Sequence, residues 1–285
     1  MGSVASITLR EALASALERL NTAHISSARL NAEILLMFAL SCDRSYLYAH
    51  PEHVLTTEEF ERFEHAVSAR TRGVPAQYIT GHQEFWGMDF IVTPDVLIPR
   101  PETEHLIEAV LPLAGDMTRL SIADVGTGTG CIAIALAKEL PAAQITAVDI
   151  SSKALDVARI NAERHHLGQR IDFKQSDLLD GMKDGSLDFV VSNPPYVGEM
   201  EEDQVQLEVL KFEPRTAVFA GPTGLEVIQR LVPQAYAALK QGGWIVMEIS
   251  RTIADSVKNY FGEWKDFEIR CDLQKIPRVA MARKG

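Results

Sequence analysis

The sequence predicts an α/β protein: a mostly parallel sheet of seven strands with helices on both faces, preceded by a small helical bundle and joined to it by a β-hairpin. Three observations predict this. Before residue 84, apolar residues recur at helical intervals. From 85 to 98, strand formers dominate, with Gly87 and Pro94 as punctuation. Beyond about residue 120, short apolar runs alternate with amphipathic segments, the pattern of a sheet covered on both sides. The expected divisions are a helical bundle at 1–84, a hairpin linker at 85–98 and a larger domain at 99–285. A length of 285 residues suits two domains. It also allows a core that needs neither disulfide nor metal.

In the first region Thr8 and Glu11 have capping-box spacing, and Leu9, Leu13, Leu17 and Leu20 follow at helical intervals. A second helix is expected at about 27–40, with Leu30, Ile34, Met37 and Phe38 on one side. Thr56 and Glu59 repeat the capping box before Phe60, Phe63 and Val67, and Gly73-Val74-Pro75 stops that helix. Phe85, Trp86, Phe90, Ile91 and Val92 predict the hairpin. A helix follows at about 102–113. Strands are then expected at 120–125, 145–149, 171–175, 187–192, 243–249, 267–273 and 278–282. Helices are expected at 130–140, 152–166, 223–240 and 252–261.

Composition excludes several classes. Lys and Arg number 28 against 39 Asp and Glu, a net charge of −11. A protein that binds nucleic acid through its phosphates usually carries the opposite sign. The base is unevenly placed: the first lysine is Lys138, and residues 1–84 use only arginine. Cys42, Cys131 and Cys271 form no CxxC pair and no zinc-like cluster, so free thiols in a reducing compartment and no metal are expected. The apolar run at 34–40 is too short to cross a bilayer. The start shows no basic segment followed by an apolar one, so no secretory leader is expected.

Functional signals fall at expected strand ends, where open α/β sheets bind ligands. The first strand ends in Asp124-Val125-Gly126-Thr127-Gly128-Thr129-Gly130, followed at once by a helix. Alternate glycines permit a tight turn and a close ligand approach, although a plain strand-to-helix turn also uses glycine. A dinucleotide fingerprint would need glycine at 131, where Cys131 stands, and a phosphate loop would need Gly-Lys-Ser/Thr. The pattern instead resembles the first motif of S-adenosylmethionine-dependent methyltransferases, where the loop backs the methionine and ribose of the cofactor. Asp149, 19 residues after Gly130, ends the next strand. There a carboxylate can accept from two ribose hydroxyls, or cap the following helix beside Ser151 and Ser152. Asp177 follows the third strand. In similar enzymes that position meets the adenine amino group, and Leu178 packs the ring; a turn role is equally open.

The fourth strand runs into Asn193-Pro194-Pro195-Tyr196. Two prolines fix φ and bring no N–H. The carbonyls of Asn193 and Pro194 are thereby held ready to accept, the Asn193 amide adds an acceptor and two donors, and Tyr196 offers a flat wall. Such a pocket suits a planar NH2 group. An amide nitrogen is a poor nucleophile, because its lone pair is delocalised into the carbonyl. Alignment with an activated methyl is therefore the main requirement, and orientation can supply about 7–11 kcal/mol. Acceptors on the NH2 hydrogens also stabilise the positive charge that develops on nitrogen.

The motif 193–196 occurs in enzymes that methylate adenine, guanine or glutamine. Further segments discriminate among these: 81–87 (Gly-His-Gln-Glu-Phe-Trp-Gly), 96–104 (Val-Leu-Ile-Pro-Arg-Pro-Glu-Thr-Glu), Phe212-Glu213-Pro214-Arg215, Gly242-Gly243-Trp244 with Glu248-Ile249, and Asp272-Leu273 with Ile276-Pro277-Arg278-Val279. Together they closely resemble the peptide chain release factor N5-glutamine methyltransferases, over about 8–282. The resemblance implies a seven-stranded Rossmann-like S-adenosylmethionine methyltransferase domain at 99–285. It also implies methylation of the glutamine in the Gly-Gly-Gln loop of class 1 release factors. It places Gly126, Thr127, Gly128, Thr129, Gly130, Asp149, Asp177, Leu178 and Asn193 at the cofactor, and Asn193, Pro194, Pro195 and Tyr196 on the glutamine. Arg100 and Glu102 would close the site, and the bundle would help dock the release factor. A cytoplasmic monomer without direct nucleic-acid or membrane binding is expected, the acids Glu11 and Glu18 being unlike a transit peptide and the net charge unlike a nucleic-acid binder. Departures from the family pattern are Thr129 for serine, Ala220 and Thr223 before Gly224-Leu225, and Ser250 and Thr252 after Glu248-Ile249.

Other readings remain at this stage. Arg100 could pair with Glu102 or Glu104 on a solvated surface, worth roughly 0–1 kcal/mol. The acidic run 199–203 could be a solvated loop or could order over substrate. The alternative activities are an adenine N6 or guanine N2 methyltransferase of nucleic acid, a cofactor-binding assembly scaffold, and a nicotinamide dehydrogenase.

Overall fold

The computed structural model describes residues 7–115 and 119–285. Two compact units result: Met1–Gly81 with Leu207–Phe212, and His82–Gln206 with Glu213–Gly285.

The first unit contains helices Leu9–Thr22, Ala28–Leu40, Arg44–Ala49, Thr57–Thr71 and Ala76–Thr80. Both expected capping boxes form: Thr8 with Glu11, and Thr56 with Glu59, each exchanging side-chain and backbone bonds. Such caps contribute about 1 kcal/mol apiece. Leu9, Leu20, Leu35, Leu36, Phe63 and Val67 are fully buried between the helices. The face expected on the second helix is wrong. Leu30 is 44% exposed, while Ala28, Ala32, Leu35, Leu36 and Ala39 are buried. The unbroken apolar run at 34–40 carries no phase of its own. The small alanines decide it, because they let neighbouring helices approach. Arg70 binds the distant segment Leu207–Phe212 into this unit: it donates to Glu208 at 2.5 Å and to Asn31 at 2.7 Å. Its side chain is almost wholly buried, so these partners are needed to offset desolvation.

The second unit begins with a hairpin, β1 (His82–Phe85) and β2 (Met88–Ile91), paired from His82↔Ile91 to Phe85↔Met88. Trp86 and Gly87 form the two-residue turn, both with positive φ. The hairpin therefore lies earlier than 85–98. Polar His82, Gln83 and Glu84 do not look like a strand, and the apolar residues after the turn drew the expectation forward.

The main sheet contains β3 (Ser121–Val125), β4 (Gln144–Asp149), β5 (Ile171–Gln175), β6 (Leu187–Ser192), β9 (Leu239–Glu248), β10 (Lys265–Cys271) and β11 (Pro277–Arg283). A short pair, β7 (Val197–Gly198) and β8 (Phe219–Gly221), stands apart. The order is β10-β11-β9-β6-β3-β4-β5. Pairing is parallel from β9 to β5 and antiparallel on both sides of β11. Alternate residues feed opposite faces. Ile122, Phe189 and Val246 pack in one cluster with the helix Cys131–Glu139; Ala123, Val190 and Ile245 pack in the other with Glu226–Ala238. Each large side chain so buried contributes about 1.5–3 kcal/mol. The expected helix at 252–261 is only a turn, Ala254–Val257, followed by a 3-10 turn, Lys258–Tyr260. The acidic run falls in another 3-10 turn, Glu199–Gln204.

From β3 the chain first winds outward through β4 to β5 and then crosses to β6 on the other side of β3. This is the point where order reverses and where such sheets open a ligand crevice. Register brings the strand ends level: Val125 pairs with Val148 and Ser192, and Ser192 with Met247.

Candidate active site

The glycine loop leaves β3 and enters the helix Cys131–Glu139. The amides of Gly126 and Thr127 donate to the Val148 carbonyl at 2.9 and 3.0 Å, fastening the loop to β4. Gly126, Gly128 and Gly130 all have positive φ. A Cβ on Gly130 would press on Ala158 at 3.1 Å, whereas one on Gly128 would meet nothing within 4 Å. The loop is thus closed on its helix side and open at Gly128. Thr127 and Thr129 are buried. Asn161, fully buried, donates to the carbonyls of Thr129 and Ile91 and accepts from the Ile91 amide, so it clamps the loop to β2.

Asp124 lies beneath the loop. Its Oδ2 accepts from Thr127 Oγ1 at 2.6 Å and from the Ala133 amide at 3.1 Å. Its Oδ1 is buried without a partner. Burial pushes its pKa up to about 7. Asp149 ends β4 and accepts from the amides of Gly128 and Ser151, both at 2.9 Å. The helix cap itself is Ser151, whose hydroxyl accepts from Ala154. Burial raises the Asp149 pKa against these bonds. Asp177, beyond β5, occupies a turn and receives an ion pair from Arg230 at 2.6 Å. Leu178 adopts φ +55° and packs at the edge of a core cluster. Among the described residues no hydrogen bond joins Asp177 or Leu178 to the glycine loop.

Asn193, Pro194, Pro195 and Tyr196 leave β6 beside the glycine loop; a Cβ on Gly126 would stand 3.9 Å from the Asn193 carbonyl. Gly224 backs this segment so closely that a Cβ there would lie 2.5 Å from the Tyr196 carbonyl. Asn193 Nδ2 donates to Thr103 Oγ1 at 3.1 Å. Thr103 Oγ1 donates to Glu248 Oε2 at 2.6 Å. Tyr196 Oη donates to Glu248 Oε1 at 2.9 Å. Thr103 and Glu248 are each 2% exposed. Burial raises the Glu248 pKa and nearby Glu102 adds to it, while the two hydroxyls and Arg278 oppose. Burial and then the Glu248 charge raise the Tyr196 pKa.

Arg100 binds neither Glu102 nor Glu104. Its guanidinium grips Glu213, whose other oxygen accepts from the Ile98 amide at 3.2 Å. The solvated-surface reading of Arg100 therefore fails, because its partner is buried. Glu102 instead faces Arg278 at 3.6 Å, and Arg278 is held by Asp272 at 2.9 Å. Sequence reasoning gave no role to Asp124, Thr103, Glu213 or Glu248. All four stood in recognised motifs or segments, Asp124 heading the glycine motif and Glu248 an acid ending an otherwise apolar strand, but none was given a partner. No group of residues suited to a metal occurs among the described residues, and no helix there is long and apolar enough to cross a membrane.

Comparison with known proteins adds an independent finding. Residues 11–81 match the PrmC N-terminal domain and residues 103–214 the methyltransferase small domain. The chain is 54% identical over 279 residues to the release factor glutamine methyltransferase of Koribacter versatilis, covering 98% of this chain and 99% of that protein. It is 41% identical to that of Rhodopirellula baltica, covering 91% and 90%. The fold resembles the hMettl16 catalytic domain, solved in complex with MAT2A 3'UTR hairpin 6, at 19% identity and a TM-score of 0.57, covering 76% and 81%.

Proposed function

The chain belongs to the release factor glutamine methyltransferase family, and we propose that it transfers a methyl group from S-adenosylmethionine to the N5 amide nitrogen of the glutamine in the Gly-Gly-Gln loop of class 1 release factors. Identity that spans both units supports the reading. The observation that carries it is the meeting of two loops, 126–130 and 193–196, at the switch point of the sheet.

The residues present fit the cofactor. Asp124 offers a buried oxygen without a partner, which suits a ligand carrying positive charge. Gly128 leaves open space over the loop. Gly126, Thr127, Gly128, Thr129 and Gly130 would back the methionine and ribose. Asp149 would accept from ribose hydroxyls with lone pairs its two amide donors leave free. Asp177 and Leu178 would meet the adenine. When bound, S-adenosylmethionine supplies an electrophilic methyl carbon on a sulfonium.

The chain's residues present the nucleophile. Carbonyls of Asn193 and Pro194, with Asn193 Oδ1, would accept from the glutamine NH2 and aim its nitrogen at the methyl group. These acceptors would stabilise the positive charge that develops on the glutamine nitrogen as it takes up the methyl group, the electron pair of the broken bond leaving with the donor. The nitrogen then loses a proton to water, leaving methylglutamine and S-adenosylhomocysteine. Tyr196 sets the plane of the amide. Its raised pKa keeps it neutral, so it acts as a wall rather than a base. Arg100, fixed by Glu213, and Glu102 line the approach. The helical unit contributes docking surface for the release factor, and the enzyme works as a cytoplasmic monomer. The net charge of −11 supports a protein rather than a nucleic-acid substrate.

A tritiated-methyl assay offering release factor, tRNA, rRNA and DNA in parallel tests this. Label in the release factor alone is expected; label confined to nucleic acid would establish the alternative activity.

A further inference from the structure

We propose that Thr103 and Glu248 are positioning residues that set the polarity of the Asn193 side-chain amide, and so decide that its carbonyl rather than its NH2 faces the substrate. The inference rests on the role given above to Asn193.

Hydrogen-bond direction follows from the chemistry of the partners. An ionised carboxylate can only accept. Glu248 receives Thr103 Oγ1 at Oε2 and Tyr196 Oη at Oε1. With Glu248 ionised, both hydroxyls spend their single proton on it, the direction in which both bonds run. Thr103 can then only accept from its other neighbour, and that neighbour is Asn193 at 3.1 Å. An amide has one accepting and one donating end, so Asn193 must turn Nδ2 toward Thr103. Oδ1 then points away from Thr103, and no hydrogen bond to it occurs among the described residues. It is left free to accept from an NH2 group. Inverting any bond of this relay would present two N–H donors to an incoming NH2, and donors repel donors.

The relay is built from distant segments. Thr103 lies 90 residues from Asn193 and 145 from Glu248. Thr103 is itself held by the hydrogen bond its backbone N–H donates to the Arg100 carbonyl at 3.0 Å. Near-complete burial of Thr103 and Glu248 keeps water from substituting for a missing partner. Ordinary packing does not require this arrangement: an apolar side chain at 103 and a leucine at 248 would fill similar space without a buried carboxylate.

The test uses the full chain, with kcat and KM for release factor, cofactor affinity by calorimetry and the thermal midpoint of each variant. Thr103→Val removes the relay's central hydroxyl. Its kcat should fall by about 10- to 100-fold, with cofactor affinity within about threefold of wild type. Thr103→Ser restores the hydroxyl and should recover kcat to within about threefold. In an Asn193→Ala background the same Thr103→Val change should alter the residual rate by less than about twofold, because nothing remains to orient. If valine does not fold at 103, Thr103→Ala carries the same expectations. Wild-type kcat in a folded hydroxyl-less variant, failure of serine to rescue, or a full extra loss in the Asn193→Ala background would each overturn the proposal. A fully active Asn193→Ala enzyme would instead overturn the role of Asn193 itself, whatever Thr103 does.

Discussion

The two loops of the site rest on buried carboxylates, but in opposite ways. Under the glycine loop, Asp124 uses one oxygen for Thr127 and Ala133 and leaves the other unpartnered. Under 193–196, Glu248 has both oxygens taken by the hydroxyls of Thr103 and Tyr196. One loop keeps an acceptor oxygen without a partner and open space at Gly128. The other is closed, with its protons committed before any substrate arrives. Under the proposed function the contrast divides the labour: the first region would set affinity for cofactor, and the second the geometry of transfer.

Substitutions should therefore separate binding from turnover. The largest effect is expected from Asn193→Ala. It should lower kcat by about 10²- to 10³-fold, as loss of a transition-state hydrogen bond does elsewhere. Calorimetry should show cofactor affinity nearly unchanged. A parallel collapse of affinity would erase the distinction between the loops. Next is Gly224→Ala, which places a Cβ 2.5 Å from the Tyr196 carbonyl at φ +80°. By shifting 193–196 it should cost about tenfold to a hundredfold in kcat, again with cofactor binding preserved. Wild-type turnover there would show that the pocket tolerates movement. On the open loop, Asp149→Ala should weaken cofactor binding by about 10- to 100-fold. Its kcat at saturating cofactor should stay within about threefold. A kcat loss that saturation cannot restore would place Asp149 in the chemistry.

Much of this contrast was legible in the sequence, and some was not. The glycine loop and the 193–196 segment are local signals: spacing and proline content are visible in a few consecutive residues. The two capping boxes were visible for the same reason, since Thr8 and Thr56 need only a glutamate three residues on. The phase of Ala28–Leu40 was not, because seven consecutive apolar residues fit any face. The Arg100 partner was not legible either. Glu213 lies 113 residues away, while Glu102 and Glu104 lay close at hand. The relay through Thr103 escaped for that reason too. Its three residues stand in separate segments: the register of β6 against β9 brings Asn193 beside Glu248, and Thr103 reaches both from the start of the helix Glu104–Ala114.

A fourth test reads a slope rather than a loss. The Asp124 carboxyl is raised from 3.8 to about 7 on folding. The folded state then holds a proton that the unfolded state has lost. Stability contributed by this group is present below about pH 4 and disappears as pH rises to about 7, at up to about 1.4 kcal/mol per pH unit. Glu248 shifts in the same direction. The comparison of wild type with Asp124→Asn isolates Asp124, since Glu248 is common to both. Urea unfolding across this range, without cofactor, should show a flatter profile for the variant. Equal slopes would mean that Asp124 is not held protonated by its burial.

Tandem mass spectrometry of the substrate most directly tests whether loop 193–196 presents a carboxamide nitrogen to the methyl donor. Release factor treated with the enzyme and S-adenosylmethionine should gain a single methyl group, located on the side-chain amide nitrogen of the Gly-Gly-Gln glutamine and absent when Asn193→Ala is used. A methyl found on any other atom, or an unmodified glutamine after full consumption of donor, would contradict it.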